Sequence, residues 1–204
     1  MNKTILYATI SLIIVVSMSL MIFTFVLPKS LPNLGKAVDF SLTDENGNNV
    51  TLKTYSGKVL IIDFIYTQCP DPNFCPLSTS KMNSLESKII KAGYSSNDVQ
   101  LISISFDYKY DGPIQMKQYE DTWSRNKSYW SFLSGNISVL EVAGAYGVFA
   151  FADEEYDTET AGDFLPIYHN MSLTIVDKEG YIRAKHMQNK WTSAEVFAQV
   201  ASLI

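Results

Sequence analysis

The chain has 204 residues, 47% of them hydrophobic, with 16 basic and 21 acidic side chains and a net charge of −5. Beyond Lys29 the balance is 14 basic against 21 acidic residues, net −7. Such a domain would be repelled by phosphates, which excludes nucleic acid as a natural partner and favours a basic protein surface.

From Ile5 to Leu27 there is no charged residue, and Leu, Ile, Val, Phe and Met dominate. At about 1.5 Å per residue this run spans a hydrocarbon core of roughly 30 Å. It predicts a short tail over 1–4, a transmembrane anchor over 5–27, a linker over 28–35 and one domain over 36–204. A cleaved signal peptide is the rival reading, but its apolar region is usually about 7–15 residues with a small-x-small cleavage site, and Thr24-Phe-Val-Leu-Pro28 supplies none. Lys3 opposes Lys29 and Lys36 across the run, so charge bias leaves the orientation open. A short tail before a long domain predicts a single-pass protein of the cell membrane with its domain on the extracytoplasmic side, where a disulfide persists. Asn49-Val-Thr51, Asn126-Lys-Ser128, Asn136-Ile-Ser138 and Asn170-Met-Ser172 fit the glycosylation pattern, a triplet that arises often by chance.

Asp39–Leu42 and Val50–Leu52 read as a hairpin turning at Asn46-Gly47, and Lys58–Tyr66 as a buried strand. Leu77, Met82, Leu85, Ile89 and Ile90 recur at helical spacing up to a capping Gly93. Val99–Phe106 is a second central strand, and Pro113 suits the first turn of a helix carrying Ile114, Tyr119 and Trp123. Trp130–Leu133 reads as a strand, Ile137–Tyr146 as a helix, and Val148–Phe151 as a strand leading into an acidic stretch from Asp153 to Asp163. A hairpin of Met171–Val176 with Tyr181–Ala184 and a helix over Ser193–Ile204 close the chain. This order implies an α/β fold, a mixed sheet with helices on both faces.

Both cysteines lie in the octapeptide Cys69-Pro70-Asp71-Pro72-Asn73-Phe74-Cys75-Pro76, where a strand hands over to a helix. The positive end of a helix dipole there favours thiolate, which does redox chemistry or holds soft metals. Spacing alone fits a disulfide switch, a two-thiolate metal site or a stabilising disulfide. A bridge closing so short a loop, already stiffened by Pro70, Pro72 and Pro76, would restrain little further chain. Only His169 and His186 could supply imidazole. His186 sits between Lys185 and Met187 near a surface strand end, whereas His169 lies where the acidic loop re-enters the sheet, a junction able to meet the cysteine loop. His169 also reads as an ordinary loop histidine bonded to backbone. Two thiolates and one imidazole would suit Cu(I) in a three-coordinate site, and zinc could take the same set with water. Asp71 is either an added oxygen ligand for oxidised copper or a turn residue capping the backbone that follows.

These segments resemble the Sco (SenC) copper chaperones of cytochrome c oxidase assembly. Gly57-Lys-Val-Leu-Ile-Ile-Asp-Phe-Ile-Tyr-Thr-Gln-Cys69-Pro-Asp71 is similar to the family's glycine-lysine strand ending in Thr-x-Cys-Pro-Asp. Ile102–Asp107 with Asp111-Gly-Pro113, Trp130–Gly135, Val142–Gly147 and a histidine eleven residues before Gly180 follow in order. The resemblance covers about Asn33 to Ile204. It implies a thioredoxin-like fold preceded by one N-terminal transmembrane helix, with Cys69, Cys75 and His169 as copper ligands for Cu(I) and in some states Cu(II). It also implies a copper-binding subunit of a terminal oxidase as partner, the membrane being engaged through the N-terminal helix. Two departures stand out. The family places three residues between its cysteines and this chain has five, read as a two-residue insertion around Pro72-Asn73 that bulges from the loop while Cys75-Pro76 still starts the helix. Tyr168 stands where the family has an aspartate before the histidine. The alternative is a membrane-anchored thiol-disulfide oxidoreductase using Cys69 and Cys75 as redox-active thiols. Against it, Met171 occupies the position where such reductases resemble one another in a proline facing the cysteines.

Overall fold

The computed structural model describes residue 7 and residues 9–17, 30–124, 126–152 and 167–204. The chain divides into two compact units, Met1–Ser30 and Leu31–Ile204. In the first, residues 9–17 are helical and expose Leu12, Ile13 and Val15. Among the described residues no helix is long and apolar enough to cross a membrane; most of the rest of the uncharged run, and the acidic stretch Asp153–Asp163, lie outside them.

The second unit is built on a seven-stranded mixed sheet in the order β2-β1-β5-β4-β3-β8-β9, with a small β6-β7 pair beside it. Its strands are β1 Ser41–Asp44, β2 Asn49–Thr51, β3 Val59–Ile65, β4 Val99–Ser105, β5 Trp130–Ser134, β6 Ala150–Ala152, β7 Ile167–His169, β8 Ser172–Val176 and β9 Ile182–Met187. The helices are α1 Cys75–Lys91, α2 Pro113–Trp123, α3 Val139–Ala145 and α4 Ser193–Ala201, with two 3-10 turns at Leu52–Tyr55 and Gln188–Lys190. β3, β4 and β5 run parallel, joined by α1 and α2 as crossovers, while β8 pairs antiparallel with β3. Every residue of β3 and β4 is buried, as strands covered on both faces must be. Successive side chains of a strand point to opposite faces. Asp63 accordingly receives Ser78 from α1 on one face, while Phe64 packs on Tyr146, just past α3, on the other, with ring centroids 5.7 Å apart. The mixed sheet with helices on both faces follows from that alternation.

Two local signals set the frame of the site. The cysteine helix α1 ends through Gly93, whose φ of +82° suits a residue without Cβ and whose N–H returns to Ile90. At its other end Cys75 is the first helical residue and Pro76 the second, where the missing proline N–H costs no intrahelical bond. β7 is a strand that the sequence reading left as loop. It is three residues long and pairs only with β6, Ala150 facing His169, so no apolar period marks it. The segment 31–36, read as mostly linker, lies along β9: Leu34 N–H donates to Ile182 and Arg183 Nε to the Pro32 carbonyl.

Candidate metal centre

The C-terminal ends of the parallel strands β3 and β4 carry Tyr66 and Phe106, tied by the Phe106 N–H donating to Ile65. Just beyond β3 the chain turns, with the Cys69 N–H reaching back to Tyr66. Asp111 fixes the start of this turn. Its carboxylate accepts from the Thr67 N–H at 2.8 Å and the Thr67 hydroxyl at 2.5 Å, and also from Ser105 Oγ at 2.5 Å. Burial pushes the Asp111 carboxyl up from its usual range, and these donors oppose the shift.

The five residues between the cysteines form a loop organised by Asp71. Its Oδ1 accepts from the Asn73 N–H at 2.8 Å and from Asn73 Nδ2 at 3.1 Å, and the Phe74 N–H closes onto the Asp71 carbonyl. This is an Asx turn, so the turn role is the one the structure gives Asp71. It absorbs the longer spacing before Cys75, which keeps its place at the helix start.

His169 arrives from the other side, on β7. Asn170 holds the passage from β7 into β8 by accepting from the Phe149 N–H at 2.7 Å and donating to the Gly147 carbonyl at 2.8 Å. The imidazole sits among Tyr66, Phe74 and Phe106, at ring-centroid separations of 5.5, 5.5 and 4.8 Å. Its Nδ1 lies 3.1 Å from the Asn170 carbonyl, so Nδ1–H donates there and Nε2 keeps a lone pair for the sulfurs. Nε2 is 3.8 Å from Cys75 Sγ. The ligand atoms of Cys69, Cys75 and His169 all lie within 4.8 Å of one another.

Both cysteines are free; Cys75 is buried and Cys69 half-buried. The Cys75 thiol, donating to Cys69, pulls the Cys69 thiol down to about 4, with partial burial opposing. Cys75 moves the opposite way, pushed up by burial and by the Cys69 sulfur beside it. The two thiols are thus driven in opposite directions, Cys69 toward the thiolate and Cys75 toward the protonated form, the arrangement of a nucleophile beside its proton donor. Burial also raises the Tyr66 hydroxyl above its ordinary range, with the two cysteines adding to the rise.

Of the residues singled out in the sequence, Cys69, Cys75 and His169 converge, while His186 and Tyr168 do not. His186, on β9, pairs instead with Gln199 of α4, its Nε2 at 2.8 Å from Oε1. Tyr168 points away and stacks on Phe151 at 5.7 Å. The aromatic surround of His169, the Asp111 anchor and Asn170 were not identified as parts of the site. Tyr66 and Phe106 read in the sequence as strand ends, and only the parallel register of β3 and β4 shows that both border the same point.

The SCO1/SenC family model matches residues 30–204. The chain belongs to the SCO1/SenC family. It is 35% identical over 96 residues to the SCO1 protein homolog of Bacillus subtilis, an alignment covering 47% of each sequence. The chain thus matches about half the length of that curated relative. Among solved structures it is similar to Bradyrhizobium japonicum ScoI with copper bound, with a TM-score of 0.68 and 28% identity over 83% of this chain and 99% of that one. It is also similar to BsSco, described as a member of the Sco family of cytochrome c oxidase assembly proteins with a disulfide switch. There the TM-score is 0.69 and the identity 25%, over 86% of this chain and 98% of that one. The fold is the thioredoxin-like mixed α/β fold of Sco proteins.

Proposed function

We propose that the protein is a membrane-anchored copper chaperone that takes Cu(I) on Cys69, Cys75 and His169 and helps assemble the dinuclear copper site of a cytochrome c oxidase. The observation that carries this reading is the convergence of two sulfurs and one imidazole nitrogen from three separate segments. Bonds of about 2.0–2.3 Å, typical of sulfur and nitrogen ligands on a borderline-soft ion, separate the donors of a trigonal site by roughly 3.5–4 Å. The 3.8 Å between Cys75 Sγ and His169 Nε2 falls in that range. Among the described residues no further cysteine, histidine or carboxylate joins the group, which favours a three-coordinate soft ion over the four ligands of a structural zinc site. The copper bound to the Bradyrhizobium relative supports the same choice of cargo.

The chain's residues divide the work. Asp111 and the Asx turn of Asp71 present the sulfurs, Asn170 sets the imidazole tautomer, and the rings of Tyr66, Phe74 and Phe106 keep water from one side of the donors. Cys69 and His169 are partly exposed while Cys75 is buried, so exchange with ligands of an incoming partner starts at the first two and ends at Cys75. The partner is the copper-binding subunit of a terminal oxidase. The uncharged run Ile5–Leu27 supports an anchor in the cell membrane with the domain on the extracytoplasmic side.

A competition titration of residues 30–204 with Cu(I) against a chromogenic chelator tests the reading. Wild type is expected to bind about one equivalent, and His169→Ala to bind roughly a hundredfold more weakly. Wild type that binds no more than Cys69→Ser ends the chaperone reading, and a His169→Ala variant that binds as tightly as wild type removes the third ligand. The free, close cysteines also suit a thiol-disulfide oxidoreductase; insulin reduction at the rate of a disulfide reductase would favour that alternative.

A further inference from the structure

Asn189 reaches the cysteine loop from far away in the sequence. It stands in the 3-10 turn Gln188–Lys190, and its Nδ2 donates to the Asn73 carbonyl at 2.8 Å and to the Phe74 carbonyl at 3.0 Å, with Met171 Sδ at 3.2 Å. Every neighbour of that nitrogen is an acceptor. The amide orientation is therefore fixed, because a flip would set oxygen against two carbonyls. Oδ1 is buried and has no hydrogen-bond partner among the described residues, an unfavourable arrangement that the fold accepts at this position.

The turn that delivers Asn189 is itself strained. Gln188 adopts φ +60°, the only positive φ of a non-glycine among the described residues, a left-handed conformation that a side chain disfavours. The turn is bolted on both sides. The Gln188 N–H donates to the Met171 carbonyl at 2.7 Å, two residues after His169, and Lys81 Nζ from α1 donates to the Asn189 carbonyl at 2.6 Å. The cleft beside it, about 440 Å³, has His169 and Phe74 in its walls. One carboxamide thus links the segment that ends in Cys75 to the segment that carries His169.

We propose that Asn189 is a positioning residue for the copper ligands: its two bonds pin the second half of the five-residue cysteine loop, so that Cys75 Sγ stays at ligand distance from His169. Asp71 shapes the loop from within, and Asn189 decides where the loop sits. The inference rests on the copper reading for its purpose. Its geometry also predicts a metal-independent effect. Forming a disulfide requires the two sulfurs, within 4.8 Å of each other here, to close into a bond, a movement that runs through the carbonyls Asn189 holds just before Cys75. The clamp resists that movement and so favours the dithiol.

Two measurements on the full chain in detergent, with Asn189→Ala, test it. In Cu(I) competition the variant is expected to lose about 10- to 100-fold in affinity. In a glutathione redox buffer one glutathione disulfide takes two electrons and two protons from Cys69 and Cys75, giving two glutathione thiols and the protein disulfide. That equilibrium is expected to shift toward the disulfide by roughly threefold or more. A purely structural role for Asn189 lowers the thermal midpoint and leaves both values unchanged, and that result overturns the proposal. If Asn189→Ala does not fold, Asn189→Leu, which keeps the volume and removes the donors without setting an oxygen against the two carbonyls, is read on the same two scales. Wild type that fails to bind Cu(I) defeats the copper reading, while the glutathione equilibrium still decides whether Asn189 holds the loop.

Discussion

Replacing Cys75 with serine is expected to lower Cu(I) affinity by roughly a thousandfold, about 4 kcal/mol, more than Cys69→Ser or His169→Ala. The reason is where each donor sits. Cys75 is fully buried at the first position of α1, with the imidazole nitrogen 3.8 Å away. Serine offers a hard hydroxyl in place of a soft thiolate, at a position shielded from outside ligands by its burial. Cys69 and His169 lie nearer solvent, where an outside ligand replaces part of what a substitution removes. The three single variants in one chelator competition give the order. A Cys75→Ser loss no larger than that of Cys69→Ser would show that the buried sulfur is not the anchoring ligand.

The second large effect concerns stability. Asp63 is buried at the centre of β3, and desolvation raises its carboxyl from 3.8 to about 6. Ser103 Oγ at 2.6 Å and Ser78 Oγ at 2.9 Å donate to it and oppose the rise. A carboxyl whose pKa is higher in the folded state takes up a proton on folding. Its contribution to stability is full below about 3.8 and is lost as pH rises through about 6. A shift of that size is worth about 3 kcal/mol at pH 7. Asn at this position stays neutral. Its oxygen accepts from Ser103, which already takes the Trp130 Nε1–H at 2.9 Å, and its amide donates to Ser78. Asp63→Asn is therefore expected to be more stable than wild type at pH 7 by up to about 3 kcal/mol, with the difference shrinking toward pH 4. Urea denaturation of both proteins at several pH values measures it. A difference that does not change with pH would mean that Asp63 does not titrate in this window.

Much of the frame was legible because its signals are local. The β-rich, mostly apolar runs at Val59–Ile65 and Val99–Ser105 name the central strands, and Cys75-Pro76 after a Pro- and Asp-rich turn names the start of α1. His169 was legible by its place in the chain, just before the strand that pairs with β3. Asp71 had two readings in the sequence, ligand or turn residue, since a carboxylate does either; only the position of the Asn73 N–H separates them. Asn189 left no signal. A Gln-Asn pair before a helix reads as an ordinary turn, and its partners are 116 and 115 residues away. The aromatic surround of His169 was invisible for the same reason, because Tyr66, Phe74 and Phe106 become neighbours only when β3, β4 and α1 are in register.

The central claim is that copper is held by these three side chains together. Copper K-edge X-ray absorption on the Cu(I)-loaded domain, residues 30–204, tests it most directly. The account predicts a three-coordinate ion with two sulfur scatterers and one imidazole, the imidazole signal vanishing in His169→Ala. An ion with nitrogen and oxygen neighbours only, or an imidazole signal that persists in His169→Ala, would contradict it.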